Sequence, residues 1–357
     1  MKITMILTRF FRNTSYALSA ALVALIPSTF CAAHTQEQES TPTNALATIT
    51  QVTVSEPTPQ WRNKLDGDRV VEMVASSPAM NGRQIPLVVI KAAQPHRPTI
   101  YLLNGADGGE GNANWIAQTD VIDFYRDKNV NVVIPMAGKY SYYTDWLQEV
   151  PQLGGKQRWE TFLTKELPGA IEKELLANDK RAVVGMSMSA LSSLLLAEHN
   201  PGFYAASAAF SGCAASASPV AHQLIGITLD QAHATPEQMW GAANSEIWKH
   251  NDALINAEKL RGTALYVSSS SGIIGQAELP GPQENFLEGA LERTPLWIAG
   301  GGIEAASNVC THILKAKLDE LAIPVTANFR PTGIHSWNYW SADLRDSWPV
   351  LKQALEN

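Results

Sequence analysis

The sequence predicts an α/β fold, with a mostly parallel central sheet and helices on both faces. Short runs that are apolar throughout recur along the chain, as in TIYLLNG (99–105), VNVVIPM (130–136) and RAVVGM (181–186). Strands of that kind are buried on both sides. Segments with helical spacing separate them, and strands alternating with helices call for parallel crossovers. The chain has 357 residues, 45% hydrophobic and only 17% charged, so a large core can be buried within one domain.

Taken in order, Lys2, Arg9 and Arg12 precede the apolar YALSAALVALIP, and Cys31-Ala32-Ala33 follows with small residues at the −3 and −1 positions of a cleavage site. That pattern predicts a secretory signal peptide over 1–33, its apolar part too short to span a bilayer. Bulky Phe30 before Cys31 argues against a lipoprotein anchor. The polar stretch 34–60 reads as an exposed, flexible leader, ordered at most near its end. Residues 61–357 remain as a single domain.

RVVEMVASS and IPLVVIKAA, on either side of the turn-rich PAMNGRQ, read as a hairpin. The runs at 99–105 and 130–136 are central strands, with the helix-like IAQTDVIDFYRDK between them. Trp159, Phe162, Leu163, Leu167 and Ile171 recur near helical spacing and predict a helix over about 158–177. RAVVGM then runs into a small-residue helix, ALSSLLLAEHN, and ASAAFSG (206–212), TALYVSSS (263–270) and TANFRP (326–331) complete the strands. Residues 213–262 carry few strand signals, and are expected to pack as helices and loops near the carboxyl edge of the sheet, where ligands bind in such folds.

Charge and cysteines bound the partners and the compartment. The formal net charge is −7, from 27 Lys+Arg against 34 Asp+Glu, and no basic run stands out, so nucleic acid is excluded as a partner. Loss of the leader would remove Cys31 and leave Cys213 and Cys310, and two cysteines in an exported chain are expected to form one bridge.

The chemistry centres on VVGMSMS, in which strand, sharp turn and helix follow one another. That is the setting of a nucleophile elbow, G-x-S-x-G, here Gly185-Met186-Ser187-Met188-Ser189 with Ser189 in place of the last glycine. Ser187 is the candidate nucleophile. A serine needs a base, and the base an orienting acid, in the chain order Ser, acid, His. Of the two histidines after the 263–270 strand, His312 lies in the helix-like VCTHILKAKLDEL and His335 in the loop PTGIHSW after the last strand, so His335 is the better base. Glu278, Glu284, Glu288 and Glu292 all follow the 263–270 strand, and no spacing rule selects the acid among them. For the oxyanion hole, the Met188 N–H is one donor and the Ala106 N–H, in the glycine-rich loop YLLNGADGG, is the other. The missing lysine and the acidic Asp107 and Glu110 argue against a phosphate loop there. Two aromatic clusters, KYSYYTDW (139–146) and HSWNYW (335–340), suit either sugar rings and apolar chains or ordinary core packing.

These segments together resemble one family, the secreted mycolyltransferases of mycobacteria and corynebacteria known as the antigen 85 group. The resemblance is carried in order by YLLNG, NVVIPMAGKYSYYTDW, RWETFLTKELPGAI, AVVGMSMSALSSLLLAEHNPGFYAASAAFSG, MWG, NFLEGALERT and GIHSWNYW, over roughly residues 70 to 355. It implies an α/β-hydrolase fold with Ser187 as nucleophile, His335 as base, Glu288 in NFLEG as acid, and Ala106 as the second oxyanion donor. Glu288 stands 47 residues before His335, a longer gap than in the mycobacterial members, which VCTHILKAKLDELAIP would fill as an added helix. A bridge between Cys310 in that helix and Cys213 after a strand fits this arrangement. The family's Asp before the loop glycine and Arg two positions after it are here Asn104 and Asp107, which together with Ser336 and Trp337 are the expected substrate-binding positions.

The resemblance thus implies an exported serine acyltransferase of the cell envelope, needing no cofactor or metal. It would act on trehalose mycolate esters, with trehalose or cell-wall glycan as acceptor and host matrix protein as a further partner. The alternatives are a secreted carboxylesterase using the same triad with water, and a surface adhesin with a vestigial site.

Overall fold

The computed structural model describes residues 45–52, 59–281 and 285–357. The expected signal peptide, and residues 34–44 and 53–58 of the leader, lie outside the described residues. Among those described, nine strands form one sheet: β1 (Thr48–Gln51), β2 (Val70–Ser77), β3 (Arg83–Ile90), β4 (Thr99–Leu102), β5 (Asn131–Pro135), β6 (Arg181–Met186), β7 (Ala206–Phe210), β8 (Ala264–Ser270) and β9 (Thr326–Arg330). Their order is β1-β2-β3-β5-β4-β6-β7-β8-β9. β1, β2, β3 and β5 pair antiparallel, and every pair from β5 through β4 to β9 is parallel.

The apolar runs are explained by two cores, one on each face. Along β6, Val183 faces one core while Ala182, Val184 and Met186 face the other. The first core takes helices α3 (Leu167–Glu174) and α4 (Met188–His199), through residues such as Leu167, Leu191 and Leu195. The second takes α1 (Trp115–Gln118), α2 (Val121–Arg126) and the C-terminal α9 (Trp337–Glu356), through Trp115, Val121, Trp340 and Leu351. A strand with a core on both sides has no face to leave polar, which removes the usual alternation.

After β7 the chain forms α5 (Pro219–Asp230), α6 (Pro236–Trp240) and α7 (Glu246–His250), then returns as β8. This is the helical insertion expected at 213–262. Ser218, Thr235 and Ser245 cap its three helices, and Trp240 and Trp248 meet edge-on at 5.0 Å within the first core.

The structure differs from the sequence expectation in three places. Residues 48–51, expected in the leader, pair antiparallel with β2 as an edge strand, to which the β-branched Thr48, Ile49 and Thr50 are suited. The helix expected over 158–177 forms as one helical run over 159–174, but the stretch Phe162–Glu166 is a wider π turn between Trp159–Thr161 and α3. The added helix is longer than VCTHILKAKLDEL: α8 runs unbroken from Phe286 to Glu320, 35 residues including Pro295. Pro295 lacks the N–H that would bond to the carbonyl of residue 291, and that turn is exposed.

Candidate active site

β6 ends at Met186, and Ser187 turns sharply at φ 55° and ψ −119° before α4 begins. A left-handed serine is strained, and here neighbouring structure holds it. The Ser187 N–H donates to the Phe210 carbonyl (2.9 Å), and the Met186 N–H donates to Ser189 Oγ (2.9 Å). The closest packing falls at Gly185, where an added Cβ would lie 2.0 Å from the Ser189 carbonyl oxygen. Position 189 accepts a serine because its hydroxyl is used inside the turn.

His335 lies in the loop between β9 and α9. Its Nε2 is 2.7 Å from Ser187 Oγ and its Nδ1 is 2.7 Å from Glu304 Oε2. With the Nδ1 proton directed at the carboxylate, Nε2 is left to accept the Ser187 hydroxyl proton. Its ring is edge-on to Trp340 at 4.8 Å, and its backbone N–H donates to the Gly300 carbonyl (3.1 Å). Glu304 is fully buried, and its Oε1 accepts the Ser211 hydroxyl (2.8 Å) and the Ser270 N–H (2.6 Å). The three side chains therefore stand in hydrogen-bond series, a hydroxyl, an imidazole and a carboxylate, with the carboxylate fixed by two strand ends.

The acid expected at Glu288 is corrected by this geometry. Glu288 is exposed in the first turn of α8, sixteen residues before Glu304 on the same unbroken helix. At 1.5 Å per residue the two are about 24 Å apart along the axis, so one carboxylate excludes the other from His335. Of the other acids considered, Glu292 is exposed and Glu284 lies outside the described residues. Glu278 accepts the Tyr339 hydroxyl (2.8 Å) and the Gly275 N–H (2.7 Å), clamping the segment after β8 onto the start of α9. The signal that points to Glu304 is its isolation: it is the one charged residue in TPLWIAGGGIEAASNVCT (294–311), and a lone carboxylate in an apolar helix must be paired where it is buried.

The glycine loop lies against the elbow as expected. A Cβ on Gly105 would meet Met186 Sδ at 2.7 Å and Ser187 Cβ at 3.6 Å. The Ala106 carbonyl accepts the Tyr140 N–H (2.9 Å), which fixes that peptide. Among the described residues, no backbone carbonyl accepts the N–H of Ala106 or of Met188.

The expected substrate-binding positions are largely committed to the scaffold. Asn104 is fully buried, with Nδ2 donating to the Pro135 carbonyl (2.8 Å) and Oδ1 accepting the Trp115 N–H (3.1 Å), so it is not a substrate contact. Asp107 accepts the N–H groups of Gly111 (2.7 Å) and Ala113 (2.9 Å), closing its own loop. Ser336 is turned to Glu278 (3.4 Å), while Trp337 is half-buried, edge-on to Trp115 (5.3 Å) and Trp340 (5.2 Å). In the first aromatic cluster, Tyr142, Tyr143 and Trp146 are core residues, Tyr143 edge-on to Trp159 at 5.5 Å. His312 stacks on Phe329 at 3.7 Å. Cys213 and Cys310 form the expected disulfide. Among the described residues no group of three or more His, Cys, Asp or Glu could hold a metal ion.

The Esterase family model matches residues 77–350. The chain is 31% identical over 293 residues to the diacylglycerol acyltransferase/mycolyltransferase Ag85A of Mycobacterium tuberculosis, covering 78% of this chain and 79% of that protein. It is 31% identical over 273 residues to Ag85B of Mycobacterium leprae, covering 72% and 76%. Its fold is similar to that of Mycobacterium tuberculosis MPT51 (FbpC1), with a TM-score of 0.63 at 23% identity over 78% of this chain and 96% of that one. It is also similar to an S-formylglutathione hydrolase from Agrobacterium tumefaciens, with a TM-score of 0.54 at 15% identity over 86% and 99%. By the family match and these identities, the chain belongs to the diacylglycerol acyltransferase/mycolyltransferase family, acyltransferases of the serine esterase type with an α/β-hydrolase fold.

Proposed function

We propose that the protein transfers mycolyl-type acyl groups, corynomycolyl among them, from a trehalose monoester to trehalose, arabinogalactan or another envelope acceptor. The observation that carries this reading is the pair of 2.7 Å hydrogen bonds joining Ser187 to His335 and His335 to Glu304, in a chain of this family. His335 Nε2 takes the Ser187 proton as Oγ attacks the ester carbonyl, and Glu304 stabilises the imidazolium that forms. The N–H groups of Met188 and Ala106 stabilise the oxyanion. When the tetrahedral intermediate collapses, the C–O bond to the sugar breaks, His335 returns its proton to the leaving oxygen, and an acyl–Ser187 ester remains. An acceptor hydroxyl, deprotonated by His335, attacks that ester and releases Ser187.

Mycolyl transfer is supported by the mycolyltransferase relatives, trehalose as donor sugar by the resemblance of the sequence segments alone, and the envelope as setting by the signal-peptide pattern of residues 1–33. Product analysis with a long-chain trehalose ester, with and without added trehalose, is the test. Transfer to trehalose, abolished in Ser187→Ala, is expected. Release of free acid alone would assign the chain to the hydrolases. Failure of Ser187 to react with a fluorophosphonate would leave a surface-binding protein with a vestigial site.

A further inference from the structure

His335 is held from one side by α8, through Gly300 and Glu304. Its chain neighbours are held from the other side by the segment that follows β8. The Ser271 hydroxyl donates to the Pro331 carbonyl (2.8 Å), the Gly272 N–H to the Gly333 carbonyl (2.8 Å), and the Gly333 N–H to the Ile273 carbonyl (2.6 Å). At two positions the contact leaves no room for a side chain. A Cβ on Gly333 would meet Tyr339 Cζ at 2.7 Å, and one on Gly275 would meet the Tyr339 hydroxyl oxygen at 2.6 Å.

This brace ends on Glu278. Its Oε2 accepts the Gly275 N–H (2.7 Å) from its own segment and the Tyr339 hydroxyl (2.8 Å) from α9, and its Oε1 accepts the Ser336 hydroxyl (3.4 Å). Glu278 is 7% exposed, and a carboxylate so buried costs stability unless hydrogen bonds replace its water. Ser336 stands at the N-cap of α9, yet its side chain caps no N–H of that helix. The Glu278 carboxylate lies at that first turn instead, where the helix dipole favours negative charge. Ser336 directly follows His335 and Tyr339 is one turn on, so one carboxylate grips the chain beside the base.

A base that serves both acylation and deacylation must keep Nε2 within reach of Ser187 Oγ, and a misplacement of about 1 Å can cost about 10²-fold in rate. We infer that Glu278 and Tyr339 are positioning residues for His335: their hydrogen bond holds the first turn of α9 against the segment after β8, and so sets where the imidazole stands. The inference rests on the proposed Ser187–His335 chemistry, and it gives the second buried carboxylate of this region a role in the reaction without contact to substrate.

Steady-state kinetics on a soluble short-chain ester test this, at a temperature well below the melting transition of every variant. Tyr339→Phe deletes one hydroxyl and Glu278→Gln one charge. Each is expected to lower kcat by about tenfold or more with KM unchanged, because His335 acts in both steps and both slow together. Labelling of Ser187 by a fluorophosphonate should slow by the same factor. The double variant should lose no more than the worse single one, since both changes break the same hydrogen bond. Tyr101→Phe is the control: its hydroxyl also donates to a buried glutamate, Glu172 (2.9 Å), but beside Arg181 at the start of β6, the end away from Ser187. It should lower Tm and leave kcat unchanged. If Glu278→Gln fails to fold, Tyr339→Phe alone decides. Unchanged kcat in Tyr339→Phe, with or without a lower Tm, would overturn the inference and leave the proposed chemistry standing. A wild type that neither turns over the ester nor reacts with the fluorophosphonate would overturn the proposed chemistry, and the inference with it.

Discussion

Glu304 and Glu288 occupy one helix but two environments, and the difference is testable residue by residue. Glu304→Gln keeps the shape of the side chain and removes the charge opposite the imidazolium. It is expected to lower kcat by about 10³–10⁴-fold, as charge removal does in other triads, whereas Glu288→Gln leaves kcat unchanged. Burst kinetics on an activated ester would show which acylation step is lost. A large effect of Glu288→Gln with none of Glu304→Gln would reverse the assignment. Gly185 gives a second test, because its Cβ would lie 2.0 Å from a backbone oxygen that cannot rotate away. Gly185→Ala is expected to destabilise by about 1–3 kcal/mol or more and to displace Ser187, seen as a lower Tm together with slower fluorophosphonate labelling. Ser187 and His335 were legible in the sequence because strand-turn-helix context and chain order constrain them. Glu304 was not, because that order fixes only where the acid lies relative to the other two.

At the scale of elements, the Cys213–Cys310 bridge joins the chain just after β7 to the middle of α8, across 97 residues of sequence. Cys310 lies about 1.7 turns beyond Glu304 on α8, so the bridge anchors the helix that presents this carboxylate. Removing a native disulfide that closes a loop of this length costs about 2–5 kcal/mol. Cys310→Ser, or full reduction, is expected to lower the Tm and to lower activity near the new transition. Thermal unfolding with and without reductant measures the first effect, and an activity–temperature profile the second. An unchanged Tm would show that packing of Leu314 and Leu318 already holds α8. The strands were legible at this scale because burial on both faces leaves an unmistakable apolar run. The extent of α8 was not, because Pro295 and Gly300–Gly302 carry local signals for a break that packing against β8 overrides.

For the whole molecule, a buried carboxyl near the end of α4 couples stability to pH. Glu198 is buried, and among the described residues neither carboxylate oxygen has a hydrogen-bond partner. Burial pushes it up to about 9, with Asp252 adding to the rise and Lys259 opposing it. The folded state therefore holds this proton more tightly than the unfolded chain, whose carboxyl has the usual value of 4.5. Stability is full below that value and falls as pH rises towards 9, by up to about 1.4 kcal/mol per pH unit. Glu198→Gln is expected to flatten this slope in urea melts between pH 5 and about 9; an unchanged slope would remove Glu198 as its source. The sequence by itself determined the α/β class, the strands that carry the site, the serine at the elbow and the histidine after the last strand. Each of these is written in local pattern and chain order, which one strand or turn is enough to express. Only the tertiary structure decided which glutamate meets His335, that Asn104 and Asp107 serve their own loops, and that Glu278 meets Tyr339. Those outcomes depend on distances between segments far apart in the chain, and distance is fixed by packing rather than by spacing.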